Sequence, residues 1–124
     1  MNWMIYGANG YTGRLAARAA VIRGFRPVLA GRNGEQVAGL ADELGLEHRV
    51  FGLDEAEVVA SAIDGMKLVL HCAGPFSETC EPMIRACLAR GVHYLDITGE
   101  ISVFEFAHSL DDDCLLYTSD AADE

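Results

Sequence analysis

The segment Gly7-Ala8-Asn9-Gly10-Tyr11-Thr12-Gly13 carries three glycines in the spacing GxxGxxG. It follows the apolar run Trp3 to Tyr6 and runs into a helical pattern. A strand that turns through glycines into a helix is where backbone amides meet the pyrophosphate of a dinucleotide. Gly7 permits the tight turn. Gly10 removes a Cβ where backbone would approach phosphate, and Gly13 lets the helix pack close to the strand. The unsatisfied N–H groups at the helix start, with the helix dipole, favour an anion there by ~0.3–2 kcal/mol. Ala8, Asn9, Tyr11 and Thr12 complete the candidate turn.

The second strand bears on which dinucleotide binds. An NAD site usually carries Asp or Glu about 20 residues beyond the glycines, to hold the ribose hydroxyls. Here the strand ends Leu29-Ala30-Gly31-Arg32-Asn33, with no acid. The planar donor fork of Arg32 suits a 2′-phosphate. The reading is NADP rather than NAD, with Arg32 and Asn33 in its site. Asp54 follows the third strand, where an acid can reach the adenine amino group or cap a helix. Ala73, Gly74 and Pro75 end the fourth strand, where small residues let a nicotinamide lie against backbone. Glu100 follows the carboxyl end of the fifth strand, the side on which ligands bind. His71, His93, Tyr94 and Asp96 have no partner visible in sequence and read as packed core residues. No catalytic residue is assigned.

These groups need strands and helices to place them. Trp3 to Tyr6 reads as a buried strand, followed by a helix from Tyr11 to Arg23 with Leu15, Ala16, Ala19, Ala20 and Ile22 as its apolar stripe. Pro27 to Ala30 is the second strand. Asn33 and Gln36 form a capping box for a helix to Leu44. His48 to Phe51 is a third strand, and Asp54 and Glu57 repeat the capping-box spacing before a helix ended by Gly65. Leu68 to Cys72 is a fourth strand and Gly74-Pro75 a turn. Thr79 then caps a helix to Arg90, with Pro82 in its first turn. Val92 to Leu95 is the fifth strand and an exposed edge, and Val103 to His108 begins a further helix. The alternation predicts an α/β fold: a Rossmann-type parallel sheet with helices on both faces, incomplete at its C-terminal end.

The chain of 124 residues has room for one small domain, and its net charge of −10 disfavours a nucleic-acid partner. No apolar run approaches the ~20 residues of a membrane span. The N-terminus has neither the basic leader nor the apolar stretch of a secretory signal. Cys72, Cys80, Cys87 and Cys114 form no CxxC pair or metal-ligand spacing, so no metal is expected and a reducing, cytoplasmic setting is. The last residues, CLLYTSDAADE, break the Gly-punctuated pattern. They resemble the in-frame translation of the transposase adapter used in DNA library preparation. The expectation is a truncated NAD(P)-binding Rossmann domain over 1–113, with 114–124 as adapter read-through and not native sequence.

GANGYTGR, LAGRN, CAGPF and YLDITGE, in that order, resemble the saccharopine dehydrogenase-like oxidoreductases, which include the trans-acting enoyl reductases. The resemblance covers residues 3 to about 108, and YLDITGE is its most specific piece. It implies an N-terminal NADP-binding domain followed by a substrate domain that is not present in this chain. The implied chemistry is hydride transfer between nicotinamide and a small-molecule substrate, either an imine or an enoyl or keto group. The rival reading is a dinucleotide-sensing regulatory module without turnover, since a fold alone does not establish catalysis.

Overall fold

The computed structural model describes residues 2–73, 76–96 and 116–118. Strand β1 (Trp3–Tyr6) leads to helix α1 (Tyr11–Ile22) and strand β2 (Val28–Gly31). Then follow α2 (Gly34–Leu44), β3 (His48–Val50), α3 (Ala56–Ile63), β4 (Leu68–His71), α4 (Phe76–Arg90), β5 (His93–Asp96) and β6 (Leu116–Thr118). All strand pairs are parallel, in the order β3-β2-β1-β4-β5-β6. The strand order reverses direction between β1 and β4, so a crevice opens at their carboxyl ends.

The sheet is covered on both faces because strand side chains alternate. Met4, Tyr6, Val69 and Tyr94 point to one face and pack on Val59, Ala60 and Ile63 of α3 and Met83, Ile84 and Cys87 of α4. Ile5 and Leu29 point to the other and pack on Ala17 of α1 and Val37, Leu40 and Ala41 of α2. Register places Tyr6 beside Ala30 on one side and His71 on the other, with Asp96 beside His71. The carboxyl ends of the four central strands are therefore level. Among the described residues no helix is long and apolar enough to cross a membrane.

Several expectations are corrected. The buried face of α1 is Gly13, Ala17 and Ala20, while Leu15 is 53% and Ile22 84% exposed. The helix lies so close to the sheet that only small residues fit beneath it. Helix α3 is capped by Glu55 without a side-chain bond, so Asp54 is not its cap. Helix α4 starts at Phe76, which puts Pro82 inside it and not in its first turn. β5 is not the sheet edge, because Leu116–Thr118 pairs with it in register Tyr94↔Leu116 to Asp96↔Thr118. A short extended segment satisfies the outer backbone groups of β5. Gly74, Pro75, Glu100 and the helix expected from Val103 lie outside the described residues.

Candidate functional site

The chain leaves β1 through Gly7, whose φ of +81° belongs to the left-handed region. The amides of Gly7 and Ala8 both donate to the Ala30 carbonyl, at 2.8 and 3.1 Å, which ties the turn to β2. A Cβ on Gly7 would lie 2.6 Å from the Ala73 nitrogen, so the end of β4 presses directly on the turn. A Cβ on Gly13 would lie 2.2 Å from the Gly7 carbonyl oxygen. A Cβ on Gly10 would meet only that oxygen, at an ordinary 3.5 Å. Gly7 and Gly13 are thus required by the protein's own packing. Gly10 is not, and its bareness keeps space open above the turn.

Gly10 is the N-cap of α1, extended at φ −77° and ψ 172°, with no side-chain cap bond and no acid in the first turn. The first amides of that helix have no intrahelical acceptor. The same turn borders a cavity of about 250 Å³ whose walls include Gly10, Gly31, Arg32, Asn33 and Ala73. Asn9 also lines it, while Ala8 is fully buried in the core and Tyr11 is 82% exposed. Thr12 is exposed on the first turn of α1.

Arg32 is exposed and lines the cavity, and among the described residues it makes no ion pair. Its stem runs beside Gly52, where a Cβ would meet Arg32 Cδ at 3.4 Å. Asp54 is not among the lining residues; it stands beyond Gly52, 4.0 Å from the place of that Cβ. Asn33 lines the cavity and caps α2, its Oδ1 accepting from the Gln36 amide at 3.1 Å.

Beneath the cavity lies a row of polar side chains. Tyr6 donates from its hydroxyl to the Phe51 carbonyl at 2.8 Å and stacks on His71 with ring centres 5.7 Å apart. His71 is fully buried, and burial alone pushes its imidazole down to about 3, so it is neutral. Burial pushes the Tyr6 hydroxyl up to about 12, with Arg32 opposing and Asp54 reinforcing. Tyr94 donates to Asp96 Oδ2 at 2.7 Å, and both are buried. The pair is two residues apart on one strand, hence on one face. Cys72 lines the cavity, and its thiol is pushed up to about 11 by burial and then by Asp96. It is a protonated, poorly nucleophilic thiol at neutral pH. Sequence reasoning missed Tyr6, Gly31 and Cys72 as lining residues; their signal is position, at the carboxyl ends of the first, second and fourth strands.

A larger hollow of about 630 Å³, lined by Asn2, Arg26, Glu47 and Arg49 among others, lies at the opposite ends of the strands. It shares no lining residue with the Gly-rich turn.

Compared with known families, residues 3–123 match the model of the saccharopine dehydrogenase NADP binding domain. The chain belongs to this family. NADP is the cofactor of the domain. The residues present fit it: an uncapped helix start above a Cβ-free Gly10, and a guanidinium at the end of β2 where an NAD site would carry an acid.

Among curated relatives, the trans-acting enoyl reductase of Mycobacterium bovis is 32% identical over 127 aligned positions, 97% of this chain and 29% of that protein. That of Mycobacterium leprae is 30% identical over 105, 79% of this chain and 25% of that protein. The chain therefore spans between 25% and 29% of the length of these relatives. Two solved structures share the fold. Apo saccharopine dehydrogenase (L-Glu forming) from Saccharomyces cerevisiae has a TM-score of 0.76 at 10% identity, over 94% of this chain and 26% of that one. Yeast methylglyoxal/isovaleraldehyde reductase complexed with NADPH has a TM-score of 0.74 at 15% identity, over 95% and 56%.

Proposed function

We propose that this domain holds NADP for an oxidoreductase whose substrate is gripped by sequence outside these 124 residues. When bound, NADP supplies the hydride acceptor or donor; the chain's part is to bind it, orient it and keep water from one side of it. The observation that carries the reading is Arg32 at the rim of the Gly-rich cavity, with no acid among the described residues that line it. In this reading the amides at Tyr11, Thr12 and Gly13 receive the pyrophosphate, the Gly10 amide being spent on the Gly7 carbonyl at 3.1 Å, and Arg32 with Asn33 receives the 2′-phosphate. Asp54 faces the adenine end. Ala73, with Gly74 and Pro75 after it, borders the nicotinamide. The substrate is an imine or an enoyl or keto group. The names of the mycobacterial relatives favour the enoyl class. Cys72, Cys80 and Cys87 form no disulfide, which supports a reducing, cytoplasmic setting.

Calorimetric titration of the chain with NADPH and NADH tests the cofactor reading. Tighter NADPH binding is expected, and equal affinities would overturn the role given to Arg32. The native domain is proposed to be 1–113, with 114–124 as adapter read-through. Genomic sequence continuing past codon 113 with the same residues would refute that.

A further inference from the structure

Gln36 stands three residues after the cap Asn33, and capping-box chemistry would send its side chain back to the cap's own amide. It goes elsewhere. Gln36 Oε1 accepts from Asn9 Nδ2 at 2.9 Å, across 27 residues of sequence. Asn9 lies in the middle of the Gly-rich turn, and its carbonyl accepts from Arg14 Nε at 2.9 Å. The Asn9 side chain has a seat only because Gly31 is bare: a Cβ there would lie 2.9 Å from Asn9 Oδ1 and 3.0 Å from Val37 Cγ2. A continuous chain of polar contacts thus runs from Arg14 on α1 through Asn9 and Gln36 to Asn33 at the start of α2. The lower part of the turn is already tied to β2 through the Ala30 carbonyl. The Gln36 contact extends that tie to the outer part, which lines the cavity.

We propose that Gln36 is a positioning residue that sets the separation between the pyrophosphate turn and the Arg32 pocket, and thereby the affinity for a ligand spanning both. The inference rests on reading the cavity as the NADP site. The Gln36 side chain is exposed and its backbone amide makes the cap bond, so side-chain truncation leaves the helix start intact.

The chain and its Gln36→Ala variant are titrated with NADPH, which needs both subsites, and with 2′-AMP, which needs only the Arg32 side. Loss of one hydrogen bond that holds a loop predicts NADPH binding weakened about five- to tenfold and 2′-AMP unchanged within about twofold. Asn9→Ala should weaken NADPH similarly, and the double variant no more than either alone. Unchanged NADPH affinity in Gln36→Ala overturns the proposal. So does an equal loss for 2′-AMP, which would make Gln36 a direct phosphate contact. A parent chain that binds neither ligand would instead sink the cofactor-site reading itself.

Discussion

The Cα of Gly13 faces the carbonyl of Gly7 so closely that a Cβ would stand 2.2 Å from that oxygen, whereas one on Gly10 would stand 3.5 Å from it. The two glycines therefore fail differently when replaced. Gly13→Ala forces backbone apart where α1 meets β1 and is expected to cost about 3 kcal/mol or more. Gly10→Val has room in the empty protein and an extended backbone that valine accepts. Its melting temperature should hardly move, while its branched side chain occupies phosphate space and weakens NADPH roughly 100-fold. Thermal melts and calorimetry on both variants separate the two roles; NADPH affinity surviving in Gly10→Val would move the pyrophosphate elsewhere.

Arg32 is the residue that distinguishes the two dinucleotides. A charge-assisted bond to phosphate contributes about 1.5–3 kcal/mol. Arg32→Ala should lower NADPH affinity by roughly 10- to 150-fold and leave NADH within about twofold. Parallel loss of both would mean that Arg32 supports the fold of the cavity and not the 2′-phosphate.

The Gly-rich turn and the parallel α/β alternation were legible because each leaves a local mark: bare positions at fixed spacing, and apolar runs between Gly stops. The buried face of α1 was not. Large apolar residues normally mark the core side, but Leu15 and Ile22 face solvent because α1 lies too near the sheet for them. Gly13, Ala17 and Ala20 mark the contact instead. The partner of Gln36 was hidden for a different reason. A capping box is a spacing of three residues, whereas Asn9 comes near only once β1 and β2 pair. The Tyr94–Asp96 bond was in reach of the two-residue period of a strand, which places both on one face.

His71 gives the fold a pH dependence with a definite sign. Its imidazole sits at about 3 in the folded chain against 6.5 ordinarily. Above 6.5 both states are neutral and the group contributes nothing to the slope. Below it the unfolded chain gains a proton that the folded chain refuses, so stability falls with falling pH by about 1.4 kcal/mol per unit, down towards 3. His71→Leu should flatten this part of the curve. Urea melts of parent and variant between pH 7 and 4.5 provide the comparison, and parallel curves would show that His71 takes up a proton in place.

Strand β6 lies within the tail read as non-native, and it covers the outer edge of β5 from Tyr94 to Asp96. Removing residues 114–124 bares parallel ladder groups that seek another chain. The shortened protein should melt lower and elute as larger species at matched concentration. Equal melting and a single monomeric peak for both lengths would show that the pairing with β6 contributes nothing to stability.

The last expectation is that the 124-residue chain binds NADPH and turns nothing over. Hydride transfer needs the nicotinamide and the reacting carbon in close contact in a site that excludes water. On the proposed function, the described residues build one side of such a site. Its floor is the row of strand ends at Tyr6, Gly31 and Ala73, and its volume of about 250 Å³ is a shallow recess at the crevice. Three titratable groups beneath it, His71, Tyr6 and Cys72, are not poised for proton transfer at neutral pH. His71 is held neutral far below its ordinary value, Tyr6 is raised to about 12 and Cys72 to about 11. On the proposed function, the acid and the opposing wall come from sequence outside these 124 residues, as the greater length of the relatives allows. The test follows NADPH absorbance with saccharopine-type and enoyl substrates at enzyme concentrations above the measured NADPH dissociation constant. Stoichiometric, repeated turnover by this chain would place a complete catalytic site within it and remove the need for a second domain.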